Sequence, residues 1–332
     1  MPAIPLDELI QAILDAIQES GYSGQLASPV RKHPRRFLIT LPVGHAVLSV
    51  YAWTLTFGGR PTLRDEYRIQ MTSVQSPLQI ARDGPTVLMG YEPNLRLFAG
   101  FDLNRHRRFT TGSPSIQIDI GALRQAEMTG LSFHRKANDE IAVGLRPDHF
   151  MTYALNAELL HRFGAEANVL RLLNRAVDLQ EIPQQDVANL STERQRVVQT
   201  VSRLSRVASF RQQVLFAYGN RCAVTRAQLR LVEAAHVLPV GAPGSVDHVT
   251  NGLALSPTYH KAFDHGLIYL TEDHHMRINE GQLHVLSRLN LTGGLDGFRA
   301  TLGRVFLPPD QRQWPSVDFI RKANQFRQIA SK

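Results

Sequence analysis

Residues 233–266, "EAAHVLPVGAPGSVDHVTNGLALSPTYHKAFDHG", constrain the fold of this chain more than any other stretch. Val232 to Leu238 is a short apolar run that predicts a strand, and a loop rich in Gly and Pro follows it. "GLALS" then predicts a second strand that pairs back on the first. Ser256 is a good N-cap and Pro257 a good first helical residue, so a short helix begins there and ends near Gly266. Strand, loop, strand and helix follow one another without spare residues. Strict alternation puts His236 on one face of the first strand and Glu233 with Ala235 on the other. In the helix, His260 and Asp264 are four residues apart and share a face.

Such an arrangement carries chemistry. An imidazole and a carboxylate one helical turn apart can bind a divalent cation through N and O atoms, and an imidazole fixed nearby can act as a general base. Phosphodiester hydrolysis needs a base for the attacking water, a cation at the phosphate and leaving oxygen, and basic residues along the backbone. A lone histidine in an apolar strand would read as a core residue. The second histidine, the carboxylate and the neighbouring arginines change that reading.

Eight arginines (194, 196, 203, 206, 211, 221, 226 and 230) lie between Arg194 and Val232 without one Asp or Glu. The chain carries a net charge of +8, of which +2 falls on residues 1–165 and +6 on the remainder. Arg194, Arg196, Arg203, Arg206 and Arg211 are therefore candidate contacts to DNA phosphates, the alternative being a solvated helix face. Cys222 is the only cysteine, which excludes an internal disulfide framework and any zinc site on paired cysteines. No structural zinc is expected, and Cys222 reads as a small packing residue.

A chain of 332 residues with 43% hydrophobic content is long enough for two domains. The N-terminus shows no secretory pattern, and no run reaches the roughly 18 apolar residues of a membrane span, so a soluble, cytoplasmic protein is expected. Leu6 to Glu19 predicts an amphipathic helix. Short strand-like runs follow at 37–41, 46–55, 67–71, 87–91, 95–101, 115–120 and 141–145, then a helix over about 149–163. These predict an α+β module with a mainly antiparallel sheet, residues 1–165. "LQEIPQQDVANLS" predicts a connector, and Thr192 with Gln195 has capping-box spacing. An Arg-rich helical connector is assigned to 166–206, with a separate helix over about 210–218, and 207–332 forms the C-terminal module. In the first module, "RKHPRRF" (31–37) and "NRHRRF" (104–109) mix Arg, His and Phe. Arg105, Arg107 and Arg108 are candidate DNA contacts, set against two plain basic loops.

Over roughly Phe210 to Asn279 the sequence resembles the HNH, or ββα-metal, nucleases. The lead-in "FRQQVLFAYGNRCAVT", the N-G-L-x-L run and the nine-residue interval from Asn251 to His260 carry the resemblance. It implies that His236 is the general base for in-line attack on a DNA phosphate. Asn251 is implied to hold the loop and orient that base, His260 to bind a cation from the helix, and Asp264 to be a second ligand. Mg²⁺ or another divalent ion such as Mn²⁺ is the implied cofactor. One position departs from the pattern: the residue before the first histidine is usually an acidic or imidazole ligand and here is Ala235. Glu233 is the nearest replacement in sequence, with Asp247 and His248 as further possibilities.

The combination resembles two-domain bacterial restriction enzymes, with one module reading sequence or base modification and the HNH module cutting double-stranded DNA as a homodimer. A nuclease effector triggered by a ligand or partner, and an inactive HNH-type DNA-binding protein, are the alternatives.

Overall fold

The computed structural model describes residues 3–41, 44–58, 65–110 and 112–329, and the chain divides into two compact units, Met1–Ser205 and Arg206–Lys332. In chain order the first unit contains α1 (Leu6–Glu19), β1 (Ser23–Leu26), β2 (Arg35–Thr40), β3 (His45–Thr54), β4 (Thr56–Phe57), β5 (Glu66–Gln70), β6 (Thr86–Glu92) and β7 (Leu97–Phe101). It continues with α2 (Leu103–His106), β8 (Ser115–Asp119), α3 (Ile120–Thr129), β9 (Leu131–Arg135), β10 (Ile141–Leu145), α4 (Phe150–Phe163), α5 (Ala167–Val177) and α6 (Gln184–Ala188). The long helix α7 (Thr192–Ala217) carries the boundary between the units.

A seven-stranded sheet, ordered β1-β2-β3-β6-β7-β10-β9, is antiparallel throughout except where β3 pairs with β6. Strand β3 shows why. Leu48, Val50 and Ala52 enter one core while Tyr51 and Trp53 enter another, so the strand is covered on both faces and reads as a nearly continuous apolar run. The first core is closed by α1, α4 and α5, whose apolar residues recur at helical spacing. The second lies between the large sheet, the small sheet β4-β5-β8 and helix α3. The predicted α+β class and the mainly antiparallel sheet are what the chain forms.

Several boundaries differ from the sequence reading. Leu172, Leu173 and Ala176 of α5 and Val197, Val198 and Val201 of α7 are buried in the first core, so residues 166–205 complete the N-terminal unit and do not stand apart as a connector. The predicted break before 210 is absent, because nothing between Ser205 and Phe210 interrupts α7. Nor do Thr192 and Gln195 form a capping box: the Gln195 amide donates to the carbonyls of Leu190 (2.8 Å) and Ala188 instead. Strands β1, β4 and β9 and helix α3 were not anticipated.

The second unit holds the predicted strand, loop, strand and helix as β11 (Glu233–His236), β12 (Gly252–Leu255) and α8 (Pro257–Asp264). Strands β13 (Ile268–Leu270) and β14 (Met276–Ile278) follow, then α9 (Glu280–Arg288), α10 (Leu295–Ala300) and α11 (Val317–Phe326). Phe210 and Val214 of α7, Ala235, Leu253, Leu255, Phe263 and Ile320 of α11 build one core around the hairpin. Cys222 is buried in it.

Candidate nuclease site

Hairpin register fixes the site. Glu233 pairs with Leu255 and His236 with Gly252, so the two polar side chains of β11 stand at opposite ends of a four-residue strand. At Gly252 a side chain is excluded: a Cβ there would lie 2.2 Å from Val214 Cγ2 and 3.3 Å from the Phe210 ring. The glycine lets α7 close onto the hairpin, and Phe210 stacks on His236 with centroids 3.8 Å apart and planes inclined by 15°.

The other constraint on that ring is a carboxylate. Asp247 Oδ1 lies 2.9 Å from His236 Nε2. A carboxylate can only accept, so Nε2 carries a proton, and in the neutral imidazole the lone pair then lies on Nδ1. Phe210 sets the plane of the imidazole and Asp247 sets its tautomer. His236 remains partly exposed.

Asn251 serves the loop that carries Asp247. Its Oδ1 accepts from Leu238 N at 2.8 Å, and its Nδ2 donates to Leu238 O (3.2 Å), Val246 O (3.1 Å) and Ser245 Oγ (3.3 Å). Fully buried and with every polar atom engaged, it is a clasp and not a group that touches substrate. His248 is engaged too, because its Nδ1 faces the backbone N and hydroxyl of Thr250 and caps a short turn. Of the two loop residues considered as ligands, Asp247 thus belongs to His236 and His248 to the backbone.

Helix α8 supplies the second cluster. His260 Nδ1 lies 2.6 Å from Glu233 Oε2, and its Nε2 lies 3.3 Å from Asp264 Oδ2. Burial pulls the His260 pKa down, but the bond to Glu233 and the charge of Asp264 outweigh it and hold the imidazole above its ordinary value. That same bond, opposed by burial, lowers Glu233, and the charge of Arg211 adds to the effect. Glu233, His260 and Asp264 are therefore brought together as the sequence reading requires. One imidazole and two carboxylates form an N and O donor set suited to a divalent cation. They form a hydrogen-bonded triad with His260 spanning the carboxylates, and among the described residues no group of three or more His, Cys, Asp or Glu side chains is placed to hold a metal ion. His236 and His260 share no partner.

The arginines sort by what they touch. Arg194 is held by Glu166 through two bonds (2.7 and 2.8 Å), by Ser191, and against the Phe163 ring at 4.6 Å, so its predicted phosphate role gives way to a structural one. Arg196, Arg203 and Arg206 are exposed. In the first unit Arg108 is exposed, Arg105 donates to Asn138 O at 2.9 Å, and Arg107 is half-buried. The "RKHPRRF" patch is partly structural as well. Arg35 is buried against the carbonyls of Val30 and Ala52, Arg36 pairs with Asp83, and His33 stacks on Trp53.

Sequence reasoning missed two things here, the stacking of Phe210 and the pairing of Asp247 with His236. Phe210 lay inside the quoted lead-in, but its contact is made across the core and no local spacing announces it.

A strand–loop–strand–helix unit that carries an oriented imidazole on its first strand and a histidine with two carboxylates at the helix is the arrangement expected of an HNH nuclease. Residues 222–271 match the HNH endonuclease family, and residues 47–154 match a family described as methylase-associated X1. The chain therefore carries a C-terminal HNH endonuclease domain and is a nuclease. A solved structure described as the modification-dependent TagI restriction endonuclease is similar at 15% identity, over 94% of this chain and 85% of that one, with a TM-score of 0.30. No curated protein matches. Among the described residues no helix is long and apolar enough to cross a membrane.

Proposed function

We propose that this chain is a divalent-cation-dependent DNA endonuclease of the restriction type, its N-terminal unit reading sequence or base modification and its HNH domain cutting. The observation that carries the reading is the His236 imidazole, fixed by Phe210 and Asp247 with Nδ1 free to take a proton, in the same hairpin-and-helix unit as Glu233, His260 and Asp264. The methylase-associated family of the first unit supports the restriction setting.

His236 Nδ1 accepts the proton of the attacking water, and Asp247 stabilises the imidazolium that results. Asn251 keeps Asp247 in place. Glu233, His260 and Asp264 would hold the cation, which supplies charge neutralisation at the scissile phosphate and the leaving oxygen. Arg196, Arg203, Arg206 and Arg108 are exposed cations for the DNA backbone, and Arg211 lies close enough to Glu233 to steady its charge. One such site cuts one strand, so double-strand cleavage calls for a homodimer. Such an enzyme works in the cytoplasm, where the DNA is.

Plasmid prepared from methylating and non-methylating hosts, incubated with Mg²⁺ or Mn²⁺ and with EDTA, tests the reading beside a His236→Ala variant. Discrete fragments that depend on the cation, on His236 and on the methylation state are expected. Smearing indifferent to methylation would sink the restriction assignment, and absence of any cation-dependent cutting would sink the nuclease mechanism.

A further inference from the structure

Arg327 follows α11 and lies outside the residues 222–271 that match the HNH family. It nevertheless touches both halves of the site's scaffold. Its Nη1 donates to Val237 O at 2.9 Å, the carbonyl of the residue after His236. Its guanidinium sits 4.5 Å from the ring centroid of Phe263, the residue before Asp264.

The rest of the guanidinium is unused. Nε and Nη2 are closed off from solvent and have no hydrogen-bond partner. Those two N–H groups point the same way along one edge, the edge that takes a carboxylate through two parallel bonds. Buried donors of this kind are rarely left unmade, and where they are, a partner from another state is the first thing to look for. Asp264 directly follows the Phe263 on which the guanidinium rests, and its charge supports the Arg327 pKa against the burial that lowers it. Asp264 itself is only loosely held, at 3.3 Å from His260 and with its side chain 56% exposed.

We infer that Arg327 is a positioning residue of the nuclease site, its free Nε and Nη2 edge receiving the Asp264 carboxylate when His260 and Asp264 take up a divalent cation. The inference rests on the cation-dependent reading proposed above. It makes the C-terminal helix part of the catalytic apparatus: the helix anchors β11 through Val237 and sets the ligand on α8 through Asp264. A fork matters here more than a charge, since Nη1 is already committed to Val237 and only a planar guanidinium can serve both partners.

Mn²⁺ binding to the full chain without DNA, followed by the electron paramagnetic resonance of free Mn²⁺, gives a readout independent of cleavage. Arg327→Met should weaken Mn²⁺ binding on the order of tenfold, as loss of an outer-shell partner does, and Arg327→Lys should weaken it nearly as much. In an Asp264→Asn background Arg327→Met should add less than about twofold, because the two changes remove one interaction. Wild-type Mn²⁺ affinity in Arg327→Lys, or effects of Arg327→Met and Asp264→Asn that multiply, would overturn the inference while leaving the nuclease reading intact. A wild-type chain that binds no Mn²⁺ would overturn both. Should Arg327→Met fail to fold, the wild-type protein still decides: the Arg327 Nε–H proton resonance moves downfield on addition of Mg²⁺ if a carboxylate arrives, and stays in place if none does.

Discussion

Replacing Asn251 with Asp turns one NH₂ into an oxygen and leaves the volume of the site unchanged. In the native clasp Oδ1 accepts from Leu238 N, and Nδ2 donates to the carbonyls of Leu238 and Val246 and to Ser245 Oγ. With Asp the first bond survives, and the new oxygen is set against two carbonyl oxygens in a position with 0% exposure. Loss of the donated bonds costs about 1 kcal/mol each, and an ionised carboxylate buried without a cation adds several more. A penalty of about 4 kcal/mol or greater at pH 7.5 follows, a large share of the roughly 5–15 kcal/mol that stabilises a domain. The carboxyl escapes part of the penalty by staying protonated, when its O–H can donate to Leu238 O. Its folded pKa is thus raised above the unfolded value of about 3.9, so stability is fully present below that pH and falls by about 1.4 kcal/mol per unit as pH rises toward the folded pKa. Asn251→Ala differs. It orphans the buried Leu238 N–H and loses the donated bonds, about 3 kcal/mol in all, with the same pH dependence as wild type. Urea unfolding followed by Trp314 in a Trp53→Phe background reports the C-terminal unit alone. Asn251→Asp within about 0.5 kcal/mol of wild type at pH 7.5, a change small enough for an ordinary surface site, would refute this account of the clasp. So would the absence of any relative recovery at pH 5.

In cleavage assays, His236→Ala should lose about 10²–10⁴-fold in turnover, and Asp247→Asn a smaller factor with KM for DNA unchanged, since Asp247 acts through the imidazole. Equal losses would remove Asp247 from its positioning role. Binding to duplex DNA as a function of salt should separate the arginines: Arg196→Ala with Arg203→Ala lowers the slope of log affinity against log salt by about 2, whereas Arg194→Ala leaves the slope alone and lowers the melting temperature. Acid should weaken the N-terminal unit first. Burial holds His149 down at about 4, and burial with the Arg35 charge holds His33 at about 3. Both are neutral when folded and take up protons on unfolding below about pH 6.5, so stability is lost as pH falls from there toward the folded values, at about 1.4 kcal/mol per unit for His149. Trp53 fluorescence in a Trp314→Phe background, with urea midpoints at pH 7 and 5, checks this; a flat midpoint would contradict it.

Local signals in the sequence covered more of the catalytic unit than of the rest. The Ser256-Pro257 helix start, the strand pair and the spacing of His260 and Asp264 are statements about neighbours in the chain, and β11, β12 and α8 form where they predict. Long-range contacts were invisible. Asp247 reaches His236 because a buried amide folds the loop back, and Phe210 reaches it because Gly252 admits a helix. In the first unit the residues given to a connector carry apolar positions 172, 173, 176, 197, 198 and 201 that only a core can explain, yet their polar surroundings masked the period. Charge misled in the same way. Arg194 and Arg35 belong to basic runs but are consumed by Glu166 and by backbone carbonyls, and a net charge cannot distinguish a used cation from a free one.

The alanine beside His236 bears on how such a site can be kept while losing a ligand. Ala235 has 0% exposure, faces Leu253 across the hairpin and belongs to the apolar core of the C-terminal unit. A carboxylate there would be desolvated with no donor to meet it, so the position is closed to the usual ligand by packing and not by chance. Strand alternation returns to the same side two residues away, about 7 Å along the chain, at Glu233. That residue opens β11, its side chain is 49% exposed, and its carboxylate meets His260 at 2.6 Å. With Glu233 as the proposed acidic ligand at the strand's end, the core stays apolar and the carboxylate stays wet. If that is the physical reason, Glu233→Gln abolishes Mn²⁺ binding and a compensating Ala235→Asp fails to restore it, destabilising the unit instead. Rescue by Ala235→Asp would show that the core tolerates a ligand at the usual place, and that the shift to Glu233 needs another cause.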